Sequence, residues 1–178
     1  MAYRVTKTYG HEQGLSACFR QPRALSHCRF LHGYALSFKF VFEADTLDEN
    51  NWVIDFGSLK PLKSWLCSTF DHKLLVAEDD PDRQTLEALG QHTENFKPLA
   101  DVLVVPGVGC EAFARMAWDW AELLLYALGS EVRTEGVPVV GGVMETTVTG
   151  KLNERVRLVE VEVREHGSNG ATYTGEDK

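Results

Sequence analysis

The sequence predicts an α+β fold: a four-stranded antiparallel sheet with two helices on one face, in the order ββααββ. Three observations predict it. Residues 34–44, YALSFKFVFEA, alternate apolar and polar with a period of two. The segments 58–70 and 111–128 carry apolar residues at helical spacing. The strand-like runs lie before the first helix and after the second, so strands and helices are segregated rather than interleaved.

Residues 3–9, YRVTKTY, form a weaker strand, β-branched and aromatic. In 34–44, Tyr34, Leu36, Phe38, Phe40 and Phe42 share one face. Residues 45–52, DTLDENNW, are a polar turn region. The first helix, 58–70, has Ser58 as its cap, Pro61 in its first turn, and Leu59, Leu62, Leu66 and Phe70 as its buried stripe. Residues 77–109 read mostly as connection, with a short helix at 83–90 and an apolar run, VLVV, at 102–105. The second helix, 111–128, turns Phe113, Met116, Trp120, Leu124 and Ala127 inward and stops at Gly129. Strands 137–149 and 154–164 follow, joined by a turn at Lys151-Leu152-Asn153. The small, polar residues from His166 onward predict a flexible tail, 166–178, after a single domain, 1–165. A sheet of this kind has two open edges, which pairing with other subunits can close into a barrel.

Composition narrows the function. A length of 178 residues suits one domain with a real core. The net charge of −8 and the lack of a Lys/Arg cluster argue against nucleic-acid binding. No stretch approaches the roughly 20 apolar residues of a membrane span. The N-terminal MAYRVTKTYGHEQ has no apolar export core, so the expected compartment is the cytoplasm. Cys18, Cys28, Cys67 and Cys110 are irregularly spaced with no CxxC pair, and are expected as thiols.

Three local constellations can carry chemistry. The stretch 26–34, SHCRFLHGY, sets Cys28 four residues before His32. Such a thiol is a nucleophile or proton carrier in one reading and a packing residue in the other. Asp71-His72 is either a carboxylate orienting an imidazole base or a surface pair. Glu145, followed by Thr146, stands in an otherwise apolar run. It either faces solvent or accepts two hydrogen bonds from an amino-pyrimidine edge, one from a ring N–H and one from an exocyclic amine.

In order, these pieces sit in LSACFRQP (15–22), CRFLHGYAL (28–36), WVIDFGSLK (52–60), FDHKLL (70–75), CEAFARMAWDW (110–120) and VMETTV (143–148). Together they resemble the 6-pyruvoyl-tetrahydropterin synthase and 6-carboxy-tetrahydropterin synthase family, of the tunnelling fold. The resemblance implies a pterin side-chain lyase acting on 7,8-dihydroneopterin triphosphate or a related dihydropterin. It implies Cys28, Asp71 and His72 as proton-transfer groups, and Glu145 with Thr146 as the pterin anchor. It implies a homo-hexamer of two stacked trimeric barrels, with active sites between subunits. The implied pathway in bacteria leads through 7-deazaguanines to queuosine-type bases, with a tetrahydropterin route as the alternative.

The family holds zinc with three histidines, one ending an F-x-A-A-H run and two from H-G-H. Here the first run is Leu15-Ser16-Ala17-Cys18-Phe19 and the second is His32-Gly33-Tyr34. Phe19 and Tyr34 replace two ligands, and only His32 remains. Strand alternation puts residues 32 and 34 on one face, but a neutral phenol is a poor zinc ligand. Zinc dependence is therefore expected to be altered or absent, with no other cofactor. Cys18 joins a rebuilt site with His32 and His27 only if a bulge turns it inward. Tyr34 offers a hydrogen-bond donor in place of the ion, a weaker electrophile than a divalent cation. The competing reading is a zinc-free pterin- or purine-binding homologue without turnover.

Overall fold

One long strand organises the molecule. The computed structural model describes residues 1–94, 97–129 and 155–175. In it β3, His32–Ala44, is the central strand. Its Leu36, Phe38, Phe40 and Phe42 are fully buried, as the alternation requires. On one side, β1 (Tyr3–Tyr9) pairs antiparallel with Phe38–Ala44, and β2 (Leu15–Phe19) pairs antiparallel with His32–Leu36. On the other side lies β6 (Val156–Arg164), also antiparallel, with a register shift at Val41/Phe42.

Helix α1, Lys60–Phe70, follows β3 and leads into β4, Lys73–Ala77. Helix α2, Arg83–Ala88, then crosses to β5, Asp101–Val105, and helix α3, Cys110–Leu128, leads toward β6. β7, Gly170–Tyr173, pairs with β6. The sheet order is β5-β4-β2-β3-β6-β7, with β1 also on β3.

The expected four-stranded, wholly antiparallel sheet is thus enlarged to seven strands, and β4 and β5 run parallel to β2 and to each other. The physical reason is burial on both faces. Leu75 joins the main core, while its neighbours Leu74 and Val76 pack with Leu86 of α2 on the opposite face. Such strands read as short continuous apolar runs, which carry no period-two signal. The stretch expected as a tail contains β7, four residues anchored by Tyr173 against Trp118 at 5.4 Å. The strand expected at 137–149, with Glu145 and Thr146, and the turn at Lys151-Leu152-Asn153 lie outside the described residues.

Helices α1 and α3 share one face of the sheet. Phe70 of α1 meets Phe38 of β3 at 4.7 Å and Phe113 of α3 at 5.3 Å. Leu59, Leu62, Leu66 and Phe70 are buried, as expected. Ser58 is not the cap. The Asp55 carboxylate accepts the Gly57 N–H at 2.7 Å, and the Ser58 hydroxyl donates back to the Asp55 carbonyl. Along α3 the buried positions are Cys110, Phe113, Ala114, Ala117, Ala121 and Leu125. Met116, Trp120 and Leu124, expected inside, are half-buried against the core margin. Three alanines let the helix axis sit close to the sheet, and the large side chains fill the flanks. Among the described residues no helix is long and apolar enough to cross a membrane.

Candidate active site

Cys28 sits in a 3-10 turn, His27–Arg29, between β2 and β3. The Ser26 hydroxyl accepts the Cys28 N–H at 3.3 Å. Three anchors fix this loop. The Gln21 N–H donates to the Cys28 carbonyl at 2.8 Å. The Gln21 side-chain amide donates to the Val108 carbonyl at 3.0 Å. Arg20 forks onto the Asp80 carboxylate at 2.9 and 2.5 Å and reaches Asp82 at 2.7 Å. The Arg20 guanidinium holds the Asp80 carboxyl below the usual carboxylate range. Gly109 is required beside this loop. Its φ is +103°, and a Cβ there would lie 2.5 Å from the Gln21 amide nitrogen.

At the start of β3, the His32 Nδ1 lies 2.6 Å from the Phe30 carbonyl. That contact makes Nδ1 the protonated nitrogen and leaves Nε2 as an acceptor. The His32 ring is 5.5 Å from Phe19 and 5.4 Å from Tyr34, the latter nearly perpendicular. Phe19 pairs with His32 across β2–β3, is 1% exposed, and meets Phe113 edge-on at 5.2 Å. Burial first, then the charges of Glu165, Cys28 and Cys110, raise the Tyr34 phenol above its ordinary pKa.

The described residues do not fit a three-histidine zinc site. Phe19 supplies no donor atom and its ring is packed into the core. Tyr34 is held in its neutral form. Among the described residues no group of three or more His, Cys, Asp or Glu is placed to hold a metal ion. The rebuilt set does not assemble either. Cys18 stands opposite Gly33 in register and packs with Leu74, Val76 and Leu86, on the face away from Phe19. Burial raises its thiol pKa as well.

Asp71 and His72 join α1 to β4. His72 adopts φ +56°, a left-handed conformation uncommon outside glycine. That twist lets adjacent side chains meet: the His72 Nδ1–H donates to the Asp71 carboxylate at 2.7 Å. The same carboxylate oxygen accepts the Ser16 N–H at 3.5 Å. The His72 side chain is 85% exposed, so its Nε2 faces solvent. Strained backbone of this kind clusters at functional sites.

Within one chain these groups form two separate sets. The Asp71–His72 dyad is tied to Ser16, and the Cys28 loop lies past Phe19, beyond the other end of β2. Ser16 and Phe19 alone are separated by roughly 10 Å of strand. The clefts along β1 and at the α2–β5 edge hold neither set.

Sequence reading missed three neighbours of Tyr34. His166 stacks obliquely at 6.2 Å, and its Nδ1 accepts the Ser168 N–H at 3.2 Å. Glu165 adjoins it at the end of β6. Cys110 begins α3, buried, its thiol pushed up to about 11 by burial. The one available signal was the alternation of Ala171 and Tyr173 with polar residues, over only four positions.

The long central strand, its antiparallel partners and the two-helix layer define a tunnelling-fold protein. An uncharacterized protein from Wolinella succinogenes shares the structure with a TM-score of 0.73, 17% identity and 99% of each chain covered. A catalytic-residue mutant of Plasmodium vivax 6-pyruvoyltetrahydropterin synthase shares it with a TM-score of 0.61, 15% identity and 97% of each chain covered. In sequence, the chain is 26% identical over 154 residues to the 6-carboxy-5,6,7,8-tetrahydropterin synthase of Aquifex aeolicus, covering 79% of this chain and 91% of that one. The family model for 6-pyruvoyl tetrahydropterin synthase matches residues 9–176. The chain belongs to the 6-pyruvoyl tetrahydropterin synthase family.

Proposed function

We propose that this chain is a pterin side-chain lyase resembling 6-carboxy-tetrahydropterin synthase, with 7,8-dihydroneopterin triphosphate or a related dihydropterin as substrate. The observation that carries the reading is the Asp71–His72 dyad, in a chain of this family. A carboxylate accepts the imidazole Nδ1–H, and a strained residue holds the pair together. Asp71 fixes the tautomer and orientation of the ring, so that Nε2 takes or returns a proton. Cys28, as thiolate, serves as the second proton-transfer group on the other side of the substrate's side chain. Glu145, with Thr146 beside it, accepts two hydrogen bonds from the pterin edge.

Because Cys28 and the dyad lie at opposite ends of β2, a working site takes them from two copies. A homo-hexamer of stacked barrels with sites between subunits satisfies this need and closes the open edge of β1. Zinc dependence is altered or absent, because Phe19 and Tyr34 fill two of the three ligand positions. The setting that goes with this reading is cytoplasmic 7-deazaguanine synthesis leading to queuosine-type bases, with a tetrahydropterin route as the alternative.

One observation favours a second reading, a zinc-free pterin- or purine-binding homologue without turnover. It is the packing of Phe19, 1% exposed, where the family places a ligand. Incubation with 7,8-dihydroneopterin triphosphate, with and without chelator, read by mass spectrometry, separates the two. Conversion that survives chelation and is abolished by Cys28→Ala supports the lyase. Conversion lost on chelation shows metal-dependent turnover. Binding without conversion supports the second reading, and a protein that neither binds nor converts any dihydropterin refutes both.

A further inference from the structure

We propose that the Tyr34 hydroxyl is a further catalytic group, donating a hydrogen bond to a substrate side-chain oxygen beside the carbon that loses its proton to Cys28. The inference rests on the lyase reading above. Tyr34 lies two residues after His32 and on the same face of β3. Its ring is fixed by His32 at 5.4 Å, Phe19 at 6.0 Å and His166 at 6.2 Å. A ring held on three sides aims its hydroxyl in one direction, which is what a preorganised donor needs. Among the described residues no hydrogen bond engages that hydroxyl.

The flanking imidazoles have opposite characters. His32 donates through Nδ1 to the Phe30 carbonyl, which leaves Nε2 an acceptor. His166 accepts at Nδ1 from the Ser168 N–H, which in the neutral ring leaves the proton on Nε2. The phenol therefore has one acceptor and one donor imidazole as ring neighbours, and it lies close enough to Cys28 to feel its charge. An ordinary phenol keeps its proton near neutral pH and donates without ionising.

The proton leaves the side-chain carbon for the Cys28 sulfur, and the C–H electron pair delocalises into the adjacent C=N of the dihydropterin ring. Tyr34 keeps its own proton throughout and makes no covalent bond. Its donation polarises the neighbouring oxygen, in a packed setting where such a donor counts for more than in water.

The test is Tyr34→Phe, which keeps the ring and deletes the hydroxyl. Dihydropterin binding, steady-state kinetics and the Tyr34 Cζ carbon resonance on addition of 7,8-dihydroneopterin are followed together. We expect kcat to fall by about 100- to 1,000-fold with KM changed only a few-fold, and the wild-type Tyr34 resonance to move on binding. Wild-type turnover with an undiminished kcat in Tyr34→Phe overturns the inference and leaves the lyase reading standing. If wild type binds without turnover, a moving Tyr34 resonance supports the contact and an unmoved one overturns it. Failure of the wild type to bind any dihydropterin overturns the lyase reading and this inference with it.

Discussion

Asp80 is the single buried carboxylate among the described residues, its side chain 1% exposed under the Arg20 fork. Its pKa lies below the ordinary value, so the folded state binds its proton less tightly than the unfolded chain does. The stability it contributes is present above the ordinary carboxylate pKa and is lost as pH falls through the folded value. Asp80→Asn leaves the partly buried Arg20 guanidinium with only the exposed Asp82 as its ion partner, and should cost about 3 kcal/mol at neutral pH. Urea unfolding at pH 7 and again near pH 3 checks this, since the gap to wild type should narrow in acid. The same residue scale shows what local spacing reveals. Strand alternation alone puts His32 and Tyr34 on one face, and only the family resemblance adds Phe19; the structure packs the three rings at 5.4 to 6.0 Å. His166 was invisible because its closeness to Tyr34 depends on the β6–β7 turn, which no local pattern around it announced. The twist at His72 was equally hidden, since a positive φ leaves no mark when the residue is not glycine.

At the scale of the element, legibility follows burial. β3 buries one face, so its alternation was plain. α1 has a single apolar stripe, so the spacing identifies its buried Leu62, Leu66 and Phe70 but not the buried Thr69 beside them. α3 was found as a helix, but its inner face was read toward the large side chains instead of the alanines. Size misleads here because close approach to a sheet selects small residues. Ala117, fully buried on that face, gives the prediction. Ala117→Leu should destabilise by about 2 kcal/mol through overpacking, although leucine is the more hydrophobic residue. Thermal and urea unfolding against wild type measure it, and an unchanged or raised stability would show that the helix–sheet gap is looser than described. β4 and β5 were missed for the converse reason: a strand covered on both faces shows no period at all.

The whole molecule adds two consequences. Tyr9 donates to the Leu59 carbonyl at 3.2 Å, and burial pushes its phenol up to about 12. Burial likewise pushes the Cys110 thiol up to about 11. The folded protein keeps both protons at pH values where the unfolded chain has released them. Stability from these groups is therefore full below about pH 9 and falls as pH rises through the folded values. Melting temperature should decline steadily between pH 9 and 12 by about the ordinary thiol-to-phenol order, the thiol acting first. The second consequence concerns assembly. If Cys28 of one copy works with Asp71 and His72 of another, Cys28→Ala and His72→Ala are each inactive alone but complementary in mixture. Random reassembly of equal amounts gives the intact pairing at about a quarter of the sites, since each of two contributing copies must be the right variant. Denaturing the two variants together, refolding them and assaying dihydropterin conversion should therefore recover about a quarter of wild-type activity. A site completed within one chain would recover none, because every copy in the mixture would still lack one of its own groups.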